Sequence, residues 1–477
     1  MKIRPLVAFA GVAALAAVAF APAVTSTDAG DAVVRDGKAA ALAAGDLDLS
    51  FDEQPSIGDM TEAGVPFGVT APCTAGFAGP FPCENVDLAS YVPLAELGGG
   101  AGSDSWGWYD DFGTPDDTSD DRQVALYGTT LGLTYIDITN PNIPIVLGRT
   151  SMTPGGGILW RDVKVHKDHA FFVSEEGGYG VKVIDLTQTR DLTDLTFANE
   201  IPVTAEYDGN GNAHNIWINN DTERAYVVGS DQSNAGLHIL DISTPAKPTL
   251  IGEFATDGYT HDVECVVYTG PDDDYNGNND DGYQAELCFA ANEDSMTIVD
   301  VTDATKTQQI AKIKYATSRY THQSVVTDDM QWLLWNDEVD EGATGPGTRT
   351  YWADITDLDL AIWQDDFVAA APQGTNDNVC VYRHDLLTVD HNMYMTGDIL
   401  WQANYNGGLQ IFRVSDEGLA NCEMERIGFF DVDPGLDVGA YGGAWNVFTE
   451  FGQDQIVVST LDEGLYVLQT DFEVGQS

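Results

Sequence analysis

The chain has 477 residues, with 21 Lys plus Arg against 76 Asp plus Glu and a net charge of −55. Such a charge repels nucleic acid and anionic lipid, and it suits a solvated protein in salty surroundings. The length fits two or three ordinary domains or one large repeat domain.

Met1-Lys2-Ile3-Arg4 is a short positive segment, Leu6 to Phe20 is apolar, and Ala21-Pro22-Ala23 has small residues at the cleavage positions. Residues 1–23 therefore read as a secretory signal cut after Ala23. The apolar run is too short for an ordinary spanning helix, so no transmembrane segment is expected after cleavage. The expected location is outside the cell, either free or surface-associated. Residues 24–70 are rich in Ala, Gly and Asp and read as a flexible or loosely packed lead. The chain carries six Cys, an even count that in an exported protein points to disulfides. Proximity favours Cys73–Cys83, Cys265–Cys288 and Cys380–Cys422.

From residue 71 to 470 one phrase recurs: a small residue, an alternating apolar stretch, Asp, an aliphatic, then Ser or Thr. It appears as Gly132 to Thr139, Gly180 to Thr187, Gly236 to Ser243, Thr297 to Thr302 and Tyr351 to Thr356. Gly408 to Ser415 and Gly464 to Leu468 are degenerate copies, with Arg413 and Gln469 where the Asp would stand. Period-2 alternation is a strand with a buried face. Asp followed by Ser or Thr suits the turn that ends it, because short oxygen side chains accept from nearby backbone N–H groups.

A second phrase precedes each copy and opens another strand: Trp106-Gly107, Arg161-Asp162, His214-Asn215, His261-Asp262, His322-Gln323, His391-Asn392 and Trp445-Asn446. Further strands fall between and after the two phrases. Four strands per unit in tandem, without helical periodicity, are propeller blades. The expected fold is all-β, a single seven-bladed β-propeller of four-stranded blades. The last unit leaves little room for its fourth strand. The segment from Val86 to Leu97 is expected to supply it from the N-terminal side, which removes an exposed edge. Residues 471–477 are a tail.

The Ile-Val-Asp phrases resemble LVIVD repeats. The whole order is similar to the choice-of-anchor B family of exported bacterial proteins. The matching pieces include Asp104-Ser105-Trp106-Gly107-Trp108, Ala213-His214-Asn215-Ile216, Tyr259-Thr260-His261-Asp262, Tyr320-Thr321-His322-Gln323 and Asp390-His391-Asn392. The resemblance implies a cell-surface or secreted propeller with variable C-terminal anchoring devices, and no established reaction. No such anchor is visible before Ser477.

The second phrase should ring one mouth of the central channel. Trp106, Arg161, Asp162, His214, Asn215, His261, Asp262, His322, His391, Asn392 and Trp445 are therefore expected there. Each next strand returns to the same rim, which adds Glu175, Glu293, Asp337 and Glu338. Imidazole suits Zn, Cu, Fe and Ni, and carboxylates add a ligand or orient a His. His214, His261, His322 and His391 are thus candidate ligands for one transition metal. The same residues have a structural reading, as hydrogen-bond donors to the backbone of the next blade. Arg161 reads either as a holder of an anionic substrate or as a partner of Asp162 or Glu175.

Asp272, Asp274, Asn276, Asn278 and Asp280, with Gly277 at the sixth position, have the spacing of a calcium loop. Its twelfth position is Tyr283 rather than Glu, and a solvated acidic loop is the alternative. Gly155-Gly156-Gly157 lacks the Lys-Ser/Thr of a phosphate loop, so no nucleotide cofactor is expected. Gly-x-Ser-x-Gly and Cys-x-x-Cys are not found. The favoured function is a binding or scaffold module for an extracellular ligand or protein. The alternative is a metal-dependent oxidoreductase or hydrolase at the His-lined mouth.

Overall fold

The computed structural model describes residues 69–472, apart from 115–116, 153–157, 193–198, 279–281, 316–317, 341–346, 360–378, 385–387, 435–440 and 454. The expected export signal and nearly all of the lead lie outside the described residues, as does Asp280.

Each repeat unit folds as an antiparallel sheet, and seven sheets form a ring. The blades span 102–151, 161–207, 215–254, 262–313, 321–383, 393–430 and, for the last, 444–469. The innermost strands are Gly102–Asp110, Arg161–His166, Asn215–Asn219, Asp262–Val267, Thr321–Val326, Met393–Thr396 and Ala444–Phe448. Each of these packs against its counterparts in the two adjacent blades, and the seventh against the first. The fold is the seven-bladed β-propeller that the repeats predict.

The Asp of the first phrase ends the third strand of its blade and does the expected work. Asp137 accepts from Thr139 N at 3.0 Å, Asp241 from Ser243 N at 2.8 Å and Asp300 from Thr302 N at 2.9 Å. These bonds satisfy backbone N–H groups where the ladder stops.

Ring closure follows the sequence. Asp87–Pro93 pairs antiparallel with Gly464–Gln469 as the outermost strand of the seventh blade. One feature goes beyond the repeats. The hairpin of Phe77–Ala78 and Phe81–Glu84 adds two strands to the outer edge of the sixth blade, through Cys83 opposite Phe430.

The core lies between the blades. Its largest buried side chains include Trp335, Trp352 and Trp401. Such burial contributes roughly 25 cal/mol per Å² of apolar surface removed from water. Close approach needs glycine in places: a Cβ on Gly107 would stand 2.1 Å from the Phe448 ring of the neighbouring blade. All three expected disulfides are present, Cys73–Cys83, Cys265–Cys288 and Cys380–Cys422. The last ties the fifth blade to the end of a short helix, Asp416–Ala420, capped by the Ser415 side chain. Among the described residues, no helix is long and apolar enough to cross a membrane.

Candidate functional site at the channel end

The start of each innermost strand contributes two successive residues to one end of the channel. The first positions are Ser103, Arg161, His214, His261, His322, His391 and Trp445. The second are Asp104, Asp162, Asn215, Asp262, Gln323, Asn392 and Asn446. The strand registers set this alignment, with an extra residue in the first, fifth and seventh blades at Ser103, His322 and Trp445.

The first positions of five consecutive blades form a continuous arc of rings in tilted contact. Ring centroids are 4.2 Å apart for His214–His261, 4.1 Å for His261–His322, 4.4 Å for His322–His391 and 4.4 Å for His391–Trp445. All five are buried. Tyrosines back the arc: Tyr320 meets His261 at 5.2 Å and Tyr405 meets His391 at 4.7 Å.

The arc is also a set of blade-to-blade staples. His261 Nδ1 donates to the carbonyl of His322 at 2.8 Å, and His391 Nδ1 to that of Trp445 at 2.6 Å. The carbonyls of Arg161, His261 and His391 are taken by Ser103 Oγ, Asn215 Nδ2 and Asn336 Nδ2. The carbonyl of a first position is thus repeatedly held by a side chain of the preceding blade. This arrangement fixes the His261 and His391 tautomers, because a carbonyl accepts only from a protonated nitrogen. His214 Nδ1 instead faces Glu175 Oε1 at 2.5 Å.

The carboxylates of the returning strands divide. Glu175 and Glu338 reach the arc, and Glu338 Oε1 accepts from Tyr405 Oη at 2.7 Å. Glu293 is buried beside Thr321, with which it exchanges two backbone hydrogen bonds. Asp337 does not face the channel group. It accepts from Arg319 N, Tyr320 N and Tyr315 Oη, at 2.7, 2.9 and 2.8 Å, and so holds a turn. Burial pushes it up to about 6.

Asp162, Asn215, Asp262 and Asn392 belong to the second ring, one step deeper than the mouth positions. Asp162 accepts from Lys164 Nζ at 2.6 Å and from Ile216 N of the next blade at 2.8 Å. Asn446 donates to Asp104 Oδ1 and Ser105 O, at 2.5 and 2.6 Å. Burial works against the Lys164 charge, but Asp162, Asp104 and Asp262 outweigh it and hold the ammonium above its usual value. Burial raises Asp104 well above the carboxylate range, and Asp162 adds to this.

Trp106 does not join the mouth. The counterpart of the histidines in the first blade is Ser103, and Trp106 lies three residues further along the strand. There it packs edge-on to Tyr394 and Phe448, with Lys164 Nζ 4.5 Å from its ring centroid. It lines a cavity of about 390 Å³ with Trp108, Lys164, Trp217 and Glu450, toward the other end of the channel. The Asp shared by Asp104, Asp162 and Asp262 was the signal for the correct register; the conspicuous Trp obscured it.

Arg161 stands at a first position, but its side chain is fully buried and turned away. Its partners are Glu176 at 3.4 Å and Ile158 O at 3.2 Å, with the guanidinium 5.1 Å from the Tyr179 ring centroid. It pairs with neither Asp162 nor Glu175.

In the acidic loop Asp272 and Asn276 serve the backbone. Asp272 accepts from Asp274 N at 3.0 Å and from Leu358 N at 2.9 Å, and Asn276 Oδ1 accepts from Asn278 N at 2.9 Å.

Residues 210–256, which cover the third blade, match the LVIVD repeat model. No curated protein matches the chain. Similar solved structures include the Cps50 (Swd1) β-propeller domain of Myceliophteria thermophila. It is 11% identical, with 73% of this chain and 94% of that chain covered and a TM-score of 0.43. A protein from Lactobacillus plantarum is also 11% identical, with 73% and 93% covered and a TM-score of 0.43. The strand order, and not these distant likenesses, defines the architecture: the chain is a seven-bladed β-propeller that carries an LVIVD repeat.

Proposed function

We propose that this chain is an exported binding propeller of the choice-of-anchor B type, and that its His-lined channel end holds a small extracellular ligand or ion. The observation that carries the reading is the arc from His214 to Trp445. It places four imidazoles and an indole in unbroken contact, with Glu175 and Glu338 beside them. Convergent polar and aromatic groups are the usual lining of a ligand site. Their burial favours a small guest over a protein surface. The three disulfides fit an oxidising compartment. A metal-dependent oxidoreductase or hydrolase is the second reading, favoured by the approach of two of these histidines to a glutamate.

A thermal-shift panel of amino acids, monosaccharides, dicarboxylates and divalent metal chlorides tests this. The expected result is at least one compound that raises the melting temperature of the wild type and fails to do so for Trp445→Ala or His391→Ala. A panel with no hit, or with hits that survive both substitutions, overturns the reading.

A further inference from the structure

We propose that His261, His322 and Glu338 bind one divalent transition-metal ion of the zinc class. This inference rests on the channel end being a binding site and names what it holds. One ligand atom from each residue lies within 4.8 Å of the others. Among the described residues, this is the one group of at least three His, Cys, Asp or Glu so gathered. His214 and His391 are not in this group, so the proposed set differs from the four histidines of the repeat. A carboxylate from the returning strand of the fifth blade completes a trio with the first-position histidines of the fourth and fifth.

The geometry suits such an ion. Zinc bonds of roughly 2.0–2.1 Å place tetrahedral ligand atoms about 3.4 Å apart, so small side-chain rotations close the trio around it. His261 is prepared for the role. Its Nδ1 proton is committed to the His322 carbonyl, which leaves Nε2 as the lone-pair nitrogen. Glu338 has an outer partner of its own in Tyr405 Oη at 2.7 Å. Metal-bound His and carboxylate ligands are regularly oriented by such partners.

The donor set selects the ion. Two imidazoles and one carboxylate suit zinc and its late first-row neighbours, whereas calcium and magnesium prefer all-oxygen shells. His261, His322 and Glu338 are 2%, 1% and 4% exposed, so an ion there is largely shielded from water. Two His and one Glu also leave a coordination position open. The small guest of the channel end is then a Lewis base that fills that position.

The test uses metal-stripped full-length mature protein. Zn(II) is titrated by calorimetry and Co(II) by its visible d–d absorption, which reports a low-coordinate nitrogen-containing shell. One ion per chain is expected to give the Co(II) spectrum. Glu338→Gln and His322→Ala are each expected to weaken binding at least about 100-fold, and Tyr405→Phe about 10–100-fold. His169→Ala, outside the channel end, leaves the affinity unchanged. Circular dichroism checks folding, and the near-isosteric Glu338→Gln keeps the test valid where His322→Ala misfolds. Failure to bind either ion, or wild-type affinity in Glu338→Gln, overturns the proposal. Failure to bind either ion, alongside a panel hit that depends on Trp445, overturns the ion and leaves the binding reading standing.

Discussion

His391 donates its Nδ1 proton to the main-chain carbonyl of Trp445, 2.6 Å away in the next blade. One side chain therefore closes a blade interface and forms part of the ring arc. Removing it leaves a buried carbonyl without this donor, at a cost of about 1–3 kcal/mol. His391→Ala is expected to lower unfolding stability by that amount or more, because the ring contact with Trp445 is lost as well. Urea denaturation followed by tryptophan fluorescence measures it. An unchanged midpoint would show that the staple contributes nothing.

Glu286 in the fourth blade is a stronger link. Its carboxylate receives Asn219, Thr222, Arg224 and Tyr226 of the third blade, at 2.8, 2.6, 2.6 and 2.5 Å. Cutting it away removes the shared carboxylate from three polar groups and from the Arg224 guanidinium, which keeps its bonds to the Val301 and Thr302 carbonyls. Glu286→Ala is expected to cost about 3–5 kcal/mol, as for other broken buried ion pairs, and Glu286→Gln clearly less. Equal losses in the two variants, read from the same denaturation curves, would contradict a role for the charge.

His384 supplies a pH dependence. It is buried against Tyr382 and Phe412, and burial, with Arg426 adding to it, pushes it down to about 3. The native state keeps this imidazole neutral, while the unfolded chain protonates it below about 6.5. Its contribution is therefore complete above that pH and is lost as the pH falls toward 3. The slope from this group is at most about 1.4 kcal/mol per pH unit. His384→Gln is expected to flatten the stability profile between pH 6.5 and 3, measured by denaturation at stepped pH, relative to wild type. Parallel profiles for the two proteins would rule the effect out.

Ring closure predicts an aggregation phenotype. Asp87–Pro93 covers the edge of Gly464–Gln469, and Tyr91 Oη donates to Glu463 O at 2.8 Å. A chain that starts at Gly98 exposes that edge to other molecules. Size-exclusion chromatography with light scattering is expected to show oligomers and a lower melting temperature. A monomer that melts like the longer chain would mean that the seventh blade closes without this strand.

The blade count, the strand that closes the ring and the cysteine pairs were legible in the sequence. Each depends on local or repeated chemistry. Alternation marks a half-buried strand, Asp with Ser or Thr marks its end, and Cys partners lie near one another along the chain. The hairpin from Phe77 to Glu84 was not legible, because it pairs with the sixth blade, hundreds of residues away. The candidate site divides in the same manner. Repeat position alone assigned His214, His261, His322, His391 and Trp445 to one end of the channel. It placed Trp106 there wrongly: Trp106 lies three residues past Ser103, and the register is carried by Asp104, which accepts from the next backbone N–H as Asp162 and Asp262 do in their blades. Which nitrogen of His261 carries the proton, why Asp337 turns to the backbone while Glu338 meets two histidines, and how Asp104, Asp162 and Asp262 gather around Lys164 were decided by tertiary structure. Those relationships join residues of different blades, and the curvature of the ring sets their distances.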